Sequence, residues 1–230
     1  MSETNDNLPI GAVVDATSAE RPEAVRLKGR FCRIEKLDVV RHAESLWQAV
    51  KGHDDLWVYM GYGPFGDEQS FLRWMEERVV ALDPFAYAVI DVASERAVGT
   101  VTLMEIRPAM GVIEMGSIVY TPLLQRTPAA TEAQYLMARY VFDDLGYRRY
   151  EWKCNALNAP SRHAAERLGF TYEGTFRQHM IVKGRNRDTA WYAMTDGEWP
   201  AVKASFEAWL KPENFDEGGR QKRRLADFRT

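Results

Sequence analysis

"YTPLLQRTPAATEA", residues 120–133, opens as the end of one kind of element and closes as the start of another. The run before it, "VIEMGSIVY" (112–120), is rich in β-branched residues and reads as a strand. The segment after it, "TEAQYLMARYVFDDLGY" (131–147), reads as a helix that Gly146 stops. A strand that turns directly into a helix leaves the first backbone N–H groups without partners and aims the positive end of the helix dipole at the turn. The turn therefore has the form of an anion site. A simpler account also stands: Thr127 caps a helix, and Pro128 suits its first turn.

Working outward, "RFCRIEKL" (30–37) alternates apolar with charged residues and reads as a half-buried strand. Asp38 then caps the helical spacing of "VVRHAESLWQAVK" (39–51). An aromatic loop, "LWVYMGYGPFGD" (56–67), leads to a second helix over 67–82 with Phe71, Leu72, Met75 and Val79 on one face. "FAYAVIDV" (85–92), "AVGTVTLMEI" (97–106) and residues 112–120 form a strand meander. Beyond the helix come a strand in "RRYEWKCNAL" (148–157), a short helix in "NAPSRHAAERLGF" (158–170) closed by Gly169, and a hairpin around "KGRNRD" (183–188). The pattern predicts a mixed α/β fold with a central, mostly antiparallel sheet and helices on both sides.

The 230 residues suit one domain, and 46% hydrophobic with 27% charged residues is ordinary for a globular chain. Polar, small and Pro-containing residues 1–28 and charged, Gly-containing residues 212–230 predict flexible extensions around a domain at 29–211. No apolar run approaches the roughly 20 residues that span a bilayer. No secretory signal is legible, so the expected location is the cytoplasm. A net charge of −3 gives no reason to expect a nucleic-acid partner, although "RQKRR" (220–224) is basic. Cys32 and Cys154 lack metal or redox spacing and are expected to be buried thiols; His42, His53 and His163 are expected at the surface or at caps, and no metal is expected.

Two motifs in order resemble the Gcn5-related N-acetyltransferase family. In "YTPLLQRTPAATEA", Pro122, Gln125 and Ala130 match its Pro-x-x-Gln/Arg-x-x-Gly-x-Gly/Ala loop, with Pro128 replacing the central glycine and so removing one N–H donor. "NALNAPSRHAAERLGF" (155–170) is similar to the Asn-x-x-Ser element and helix end of the RimJ/RimL-like branch, which acetylates protein N-termini and small amines. The resemblance runs from about Leu27 to Trp209 and implies the acyl-CoA N-acyltransferase fold.

It also implies that acetyl-coenzyme A is the donor and a primary amine the acceptor, with direct attack on the thioester. By resemblance, Gln125, Arg126, Thr127, Ala129, Ala130 and Thr131 hold the diphosphate, Arg126 standing in for the absent amide. Ile118 and Tyr120 offer main-chain groups to the pantetheine arm, and Asn158 reaches the coenzyme unless it is only a helix cap. Ser161 is a candidate acid for the leaving thiolate; Glu114 and His179 are candidate bases, with deprotonation through water left open. Trp57, Tyr59, Tyr62 and Phe65 are candidates for the acceptor wall, or else core residues. The leading acceptor is a protein or peptide N-terminus, with a small-molecule amine second. A non-catalytic acyl-coenzyme A-binding module and a scaffold with a merely capped helix are the rival classes. A homodimer is left open.

Overall fold

The computed structural model of the protein describes residues 9–14 and 17–229. Its centre is one eight-stranded sheet in the order β1-β2-β3-β4-β5-β6-β8-β7. The strands are β1 (Arg26–Lys28), β2 (Cys32–Lys36), β3 (Phe85–Asp91), β4 (Ala97–Arg107), β5 (Val112–Tyr120), β6 (Arg149–Asn155), β7 (Thr171–Val182) and β8 (Arg185–Thr195). Every neighbouring pair is antiparallel except β5 and β6, which the helix α3 (Pro128–Arg139) joins as a parallel crossover. The mixed, mostly antiparallel sheet expected from the strand meander is present.

Helices cover both faces. On one side α1 (Val39–Val50) and α2 (Glu68–Val80) begin as the sequence predicts, with the Asp38 carboxylate accepting the Arg41 N–H at 2.9 Å and Asp67 accepting the Ser70 N–H at 2.7 Å. Caps of this kind contribute about 1 kcal/mol each. On the other side lie α3, continued by a π-helical turn at Tyr140–Asp144, the short α4 (Ala159–Leu168) and α5 (Trp199–Leu210). Covered on both faces, β3 is buried from Phe85 to Ile90, which is why "FAYAVID" runs almost continuously apolar. The larger core joins Ile113, Met115, Tyr150 and Trp152 to α3 and α5; the smaller joins Ala86, Ala88 and Val119 to Leu46, Trp57, Phe71 and Met75.

A buried carboxylate fixes where α3 starts. Glu132 accepts the backbone N–H groups of Arg30, Phe31 and Cys32 at 2.7, 2.6 and 2.8 Å, tying the first turns of α3 to the β1–β2 connection.

The domain limits need correction at both ends. Leu27 is buried in β1, and Ala19 and Glu20 donate backbone bonds to Pro108 and Leu145, so the ordered domain begins before residue 29. The part of the N-terminal extension at 1–8, 15 and 16 lies outside the described residues. The C-terminal segment is no loose tail: Phe215 packs on Phe31 and Trp209, Leu225 is 1% exposed, and the Asn214 side chain bonds the carbonyls of Trp209 and Arg223. Its charged composition hid three anchoring side chains. His42, expected at the surface or at a cap, is buried and serves the cap of α1: it accepts the N–H of the N-cap residue Asp38 and meets the Glu35 carboxylate, each at 3.0 Å.

Candidate active site

β5 and β6 pair from Val112 and Arg149 to Met115 and Trp152, and there the ladder stops although both strands continue. The cause is in β5. Its register against β4 shifts between Thr100 and Thr102, with Ser117 at φ 46°, and an extra residue of this kind bends a strand away from its neighbour. β6 stays paired with β8 as far as Asn155. From Gly116 to Tyr120, β5 therefore has a ladder partner on the β4 side only, and a wedge opens between two backbone edges. Gly116 sits at its apex, where a Cβ would displace the Met104 side chain and stand 3.1 Å from Glu114 Oε1.

At the end of β5 the loop turns into α3. The Thr127 hydroxyl accepts the Ala130 N–H at 3.2 Å and donates to the Leu124 carbonyl at 2.7 Å. Gln125 Nε2 donates to the Tyr120 carbonyl at 2.8 Å, and exposed Arg126 adopts φ 62°. Pro128 is the first helical residue, as its missing N–H allows. The N–H groups of Arg126 and Ala129 make no hydrogen bond among the described residues, so two donors and the helix dipole face the loop. Thr131 is buried, with its hydroxyl accepting from Arg167 at 2.9 Å, and its side chain is not available to a diphosphate. The Tyr120 carbonyl and hydroxyl are satisfied internally, the latter by Gln134 and the Ala130 carbonyl. Ile118 packs against the larger core.

The β6 wall carries the start of α4. Asn158 is indeed a cap, its Oδ1 accepting the Ser161 N–H at 3.1 Å, while its amide NH₂ makes no hydrogen bond among the described residues. Ser161 Oγ accepts from Trp152 Nε1 at 3.1 Å, and Trp152 is the last β6 residue paired with β5. The indole occupies an acceptor lone pair, and the hydroxyl proton has the Cys154 sulfur, a weak acceptor, within reach. Beside it the Cys154 thiol is pushed up by burial, so it is no thiolate nucleophile; burial does the same to Cys32.

On the opposite face of the same strands lies a network of charge. Glu114 and Lys153 are 2.8 Å apart; Lys153 also reaches Glu151 at 3.0 Å, and Arg149 and Arg107 close on Glu151 at 2.8 and 2.9 Å. The two carboxylates are not equivalent. Burial raises the Glu114 pKa further than Lys153 lowers it. For Glu151, burial is outweighed by the bonds from Arg149 and Lys153 with the charge of Arg107, and its pKa falls. Lys153 Nζ stands 4.2 Å over the Trp191 ring, and Trp191 in turn contacts His179, whose Nδ1 meets Thr189 Oγ1 at 3.0 Å. Glu114 and His179 thus share the face opposite Ser161, with Glu114 against the wedge apex and His179 exposed on the outer strand.

The aromatic loop folds inward. Trp57 is 2% exposed and packs against Tyr62, Phe65 and Trp74, with ring centroids 5.0–5.9 Å apart. Gly63 at φ 62° lies flat on the Trp57 ring, where a Cβ would stand 2.7 Å from the indole. Of the two readings the sequence left open, Trp57, Tyr62 and Phe65 pack as a core cluster, with the Tyr62 hydroxyl end reaching toward β5. Tyr59 differs. Its hydroxyl donates to the Leu157 carbonyl at 3.2 Å, one residue before Asn158. Lys183, from the β7–β8 turn, donates to the Trp57 carbonyl at 2.8 Å, so loop, hairpin and α4 meet around the wedge.

Sequence reading missed Lys153, Glu151, Arg78 and Ser117. The first two sit at alternate positions in "YEWKC" and share a face with Glu114 once the parallel register is known; before that, a charged alternation reads as an exposed strand face. Among the described residues no group of three His, Cys, Asp or Glu is placed to hold a metal.

A family model described as the acetyltransferase (GNAT) domain matches residues 34–171. A GCN5-related N-acetyltransferase from Brucella melitensis is 50% identical over 92% of this chain and 97% of its own, with a TM-score of 0.90. A protein described as a probable acetyltransferase of the GNAT family from Chromobacterium violaceum is 39% identical over 85% of this chain and 100% of its own, with a TM-score of 0.78. A Salmonella typhimurium acetyltransferase, described as modifying the N-terminal serine of ribosomal protein L7/L12, shares the fold at 18% identity, 73% and 96% coverage and a TM-score of 0.63. No match was found among curated proteins. With the wedge, the helix-terminal donors and the matched domain in agreement, the chain belongs to the GCN5-related N-acetyltransferase family.

Proposed function

We propose that the protein transfers acetyl from acetyl-coenzyme A to the amino group of a protein or peptide N-terminus by direct attack. The observation that carries this reading is the wedge between β5 and β6, with Ser161 on one face and Glu114 on the other. The pantetheine arm takes the unpaired edge of β5 beyond Gly116, and the diphosphate takes the N–H groups of Arg126 and Ala129 with the Arg126 guanidinium. The thioester then lies at the wedge mouth. Glu114, whose pKa burial raises above the ordinary carboxylate value, receives the amine proton, directly or through one water, as the C–N bond forms. The sulfur leaves toward Ser161, whose hydroxyl donates to it as the C–S bond breaks. His179 is the weaker candidate base, being farther from the wedge and held by Thr189.

The acceptor assignment is supported by the branch motif around Asn158 and Ser161 and, at the level of fold, by the Salmonella relative that modifies an N-terminal serine. Thiol release from acetyl-coenzyme A, followed with peptides of varied first residue and with small amines, tests it. Transfer to small amines with none to any peptide overturns the assignment.

A further inference from the structure

A second group of polar atoms lies where α2 meets β5. Arg78 Nη1 lies 3.4 Å from the Ser117 hydroxyl, at the β5 register shift. Its guanidinium is 4.6 Å from the Tyr62 ring centroid and 5.8 Å from that of Trp74, which hold it in place. The Tyr62 hydroxyl is buried beside Ser117 and Arg78, with Ser117 within hydrogen-bonding reach of it. Arg78, Ser117 and Tyr62 thus form one chain of polar groups next to Gly116. The guanidinium can only donate, and the hydroxyls can donate as well as accept.

Resting on the acetyl-transfer reading above, we propose that Arg78, Ser117 and Tyr62 form an acceptor subsite for the oxygen of an α-amino carbonyl group. A guanidinium takes lone pairs and offers none, and a carbonyl or carboxylate oxygen supplies them without bringing N–H groups of its own. Ser117 adjoins Gly116 at the wedge apex, so an oxygen bound there sits beside the attacking nitrogen, as the carbonyl of an amino acid or peptide does. A polyamine has no such oxygen, and Arg78 repels its second cation. The face beyond carries Glu114 and Glu151, but Lys153, Arg149 and Arg107 already neutralise them.

The test compares seryl-alanine amide, free serine and 1,5-diaminopentane as acceptors for the full chain, its R78M, R78K and S117A variants, and acetyl-coenzyme A. The wild type favours the two α-amino carbonyl acceptors over the diamine. R78M raises KM for them by roughly tenfold or more, as loss of a charge-assisted bond requires, while coenzyme binding is unchanged. R78K and S117A give smaller increases, and they decide the matter if R78M fails to fold. Preference for the amide over free serine marks a peptide source, and the reverse a free amino acid. A wild type that prefers the diamine, or folded variants that keep the wild-type KM, overturns the subsite with the acetyltransferase reading intact. No transfer to any of the three by a wild type that binds coenzyme overturns the functional reading and the subsite together.

Discussion

Replacing Glu114 by Gln separates a catalytic carboxylate from a structural one, because the two roles predict opposite pairs of results. As a base, Glu114 contributes about 10²–10⁴ in rate, and Gln cannot take the proton, so kcat falls by about a hundredfold or more. A hundredfold corresponds to about 2.7 kcal/mol of barrier. Stability moves differently. Burial raises the Glu114 pKa above its ordinary 4.5, so between that value and the raised one the native protein holds a proton that the unfolded chain has released. Stability then falls as pH rises through that window, and at neutral pH the buried carboxylate is a net cost. Gln removes the cost while Lys153 keeps Glu151 at 3.0 Å.

The expected outcome for Glu114→Gln is therefore a large loss of turnover, a thermal midpoint at pH 7 no lower than wild type, and disappearance of the acidic limb of the kcat/KM profile. Steady-state rates from pH 5 to 9 and melting curves at the same pH values measure all three. Lys153→Met sharpens the test. Without its cation Glu114 titrates higher, so the acidic limb moves to higher pH, and breaking a buried pair costs about 3–5 kcal/mol. Retention of both turnover and acidic limb in a folded Glu114→Gln protein would refute the assignment of the base.

Glu132→Ala strands three buried N–H donors; at about 1.5 kcal/mol or more each, the loss is roughly 4 kcal/mol or above, which lowers the melting temperature by about 10 °C in a chain of this length. Calorimetry checks it, and a change under 2 °C would mean the β1–β2 turn finds other acceptors. Trp57→Ala removes a core side chain and costs about 3–5 kcal/mol, measured by urea unfolding, with acceptor preference unaltered in the folded fraction. His42 accepts the Asp38 N–H and donates to Glu35, so it is buried neutral, and burial holds its pKa below the ordinary 6.5. The unfolded chain binds the extra proton first, so this contribution is complete above about pH 6.5 and is lost as pH falls toward the depressed value; His42→Gln, which keeps a donor and an acceptor, flattens the melting temperature across that window.

What was legible in the sequence is what local chemistry determines. Asp38 and Asp67 announce α1 and α2 because capping is decided within four residues, and the unbroken apolar run 85–90 announces a strand covered on both sides. Thr127, Pro128, Asn158 and Gly169 stand at helix ends for the same reason. The aromatic loop misled because exposure of an aromatic is decided by distant residues: Trp57 is covered by Trp74, Phe65 and Tyr62, and only the close approach of Gly63 leaves room for it. The terminal segment misled in the same way, since Phe215 and Leu225 find partners in α5 and the core that the intervening charges conceal.

The division of labour in the site was hidden for a further reason. Alternation assigns strand residues to faces only while the register is unbroken. In β5 the extra residue at Ser117 reverses the alternation midway, so Glu114 and Gly116 share a face with Ser117, while Ile118 and Tyr120 turn to the larger core. That reversal also ends the pairing with β6. One backbone irregularity therefore does two things at once: it ends the β5–β6 pairing and so opens the wedge, and it brings Ser117 to Arg78. A variant that restores plain alternation by deleting Ser117 should zip β5 onto β6 and keep the fold's core, yet abolish coenzyme binding. Coenzyme affinity surviving that deletion in a folded protein would show that the bulge is not what makes the site.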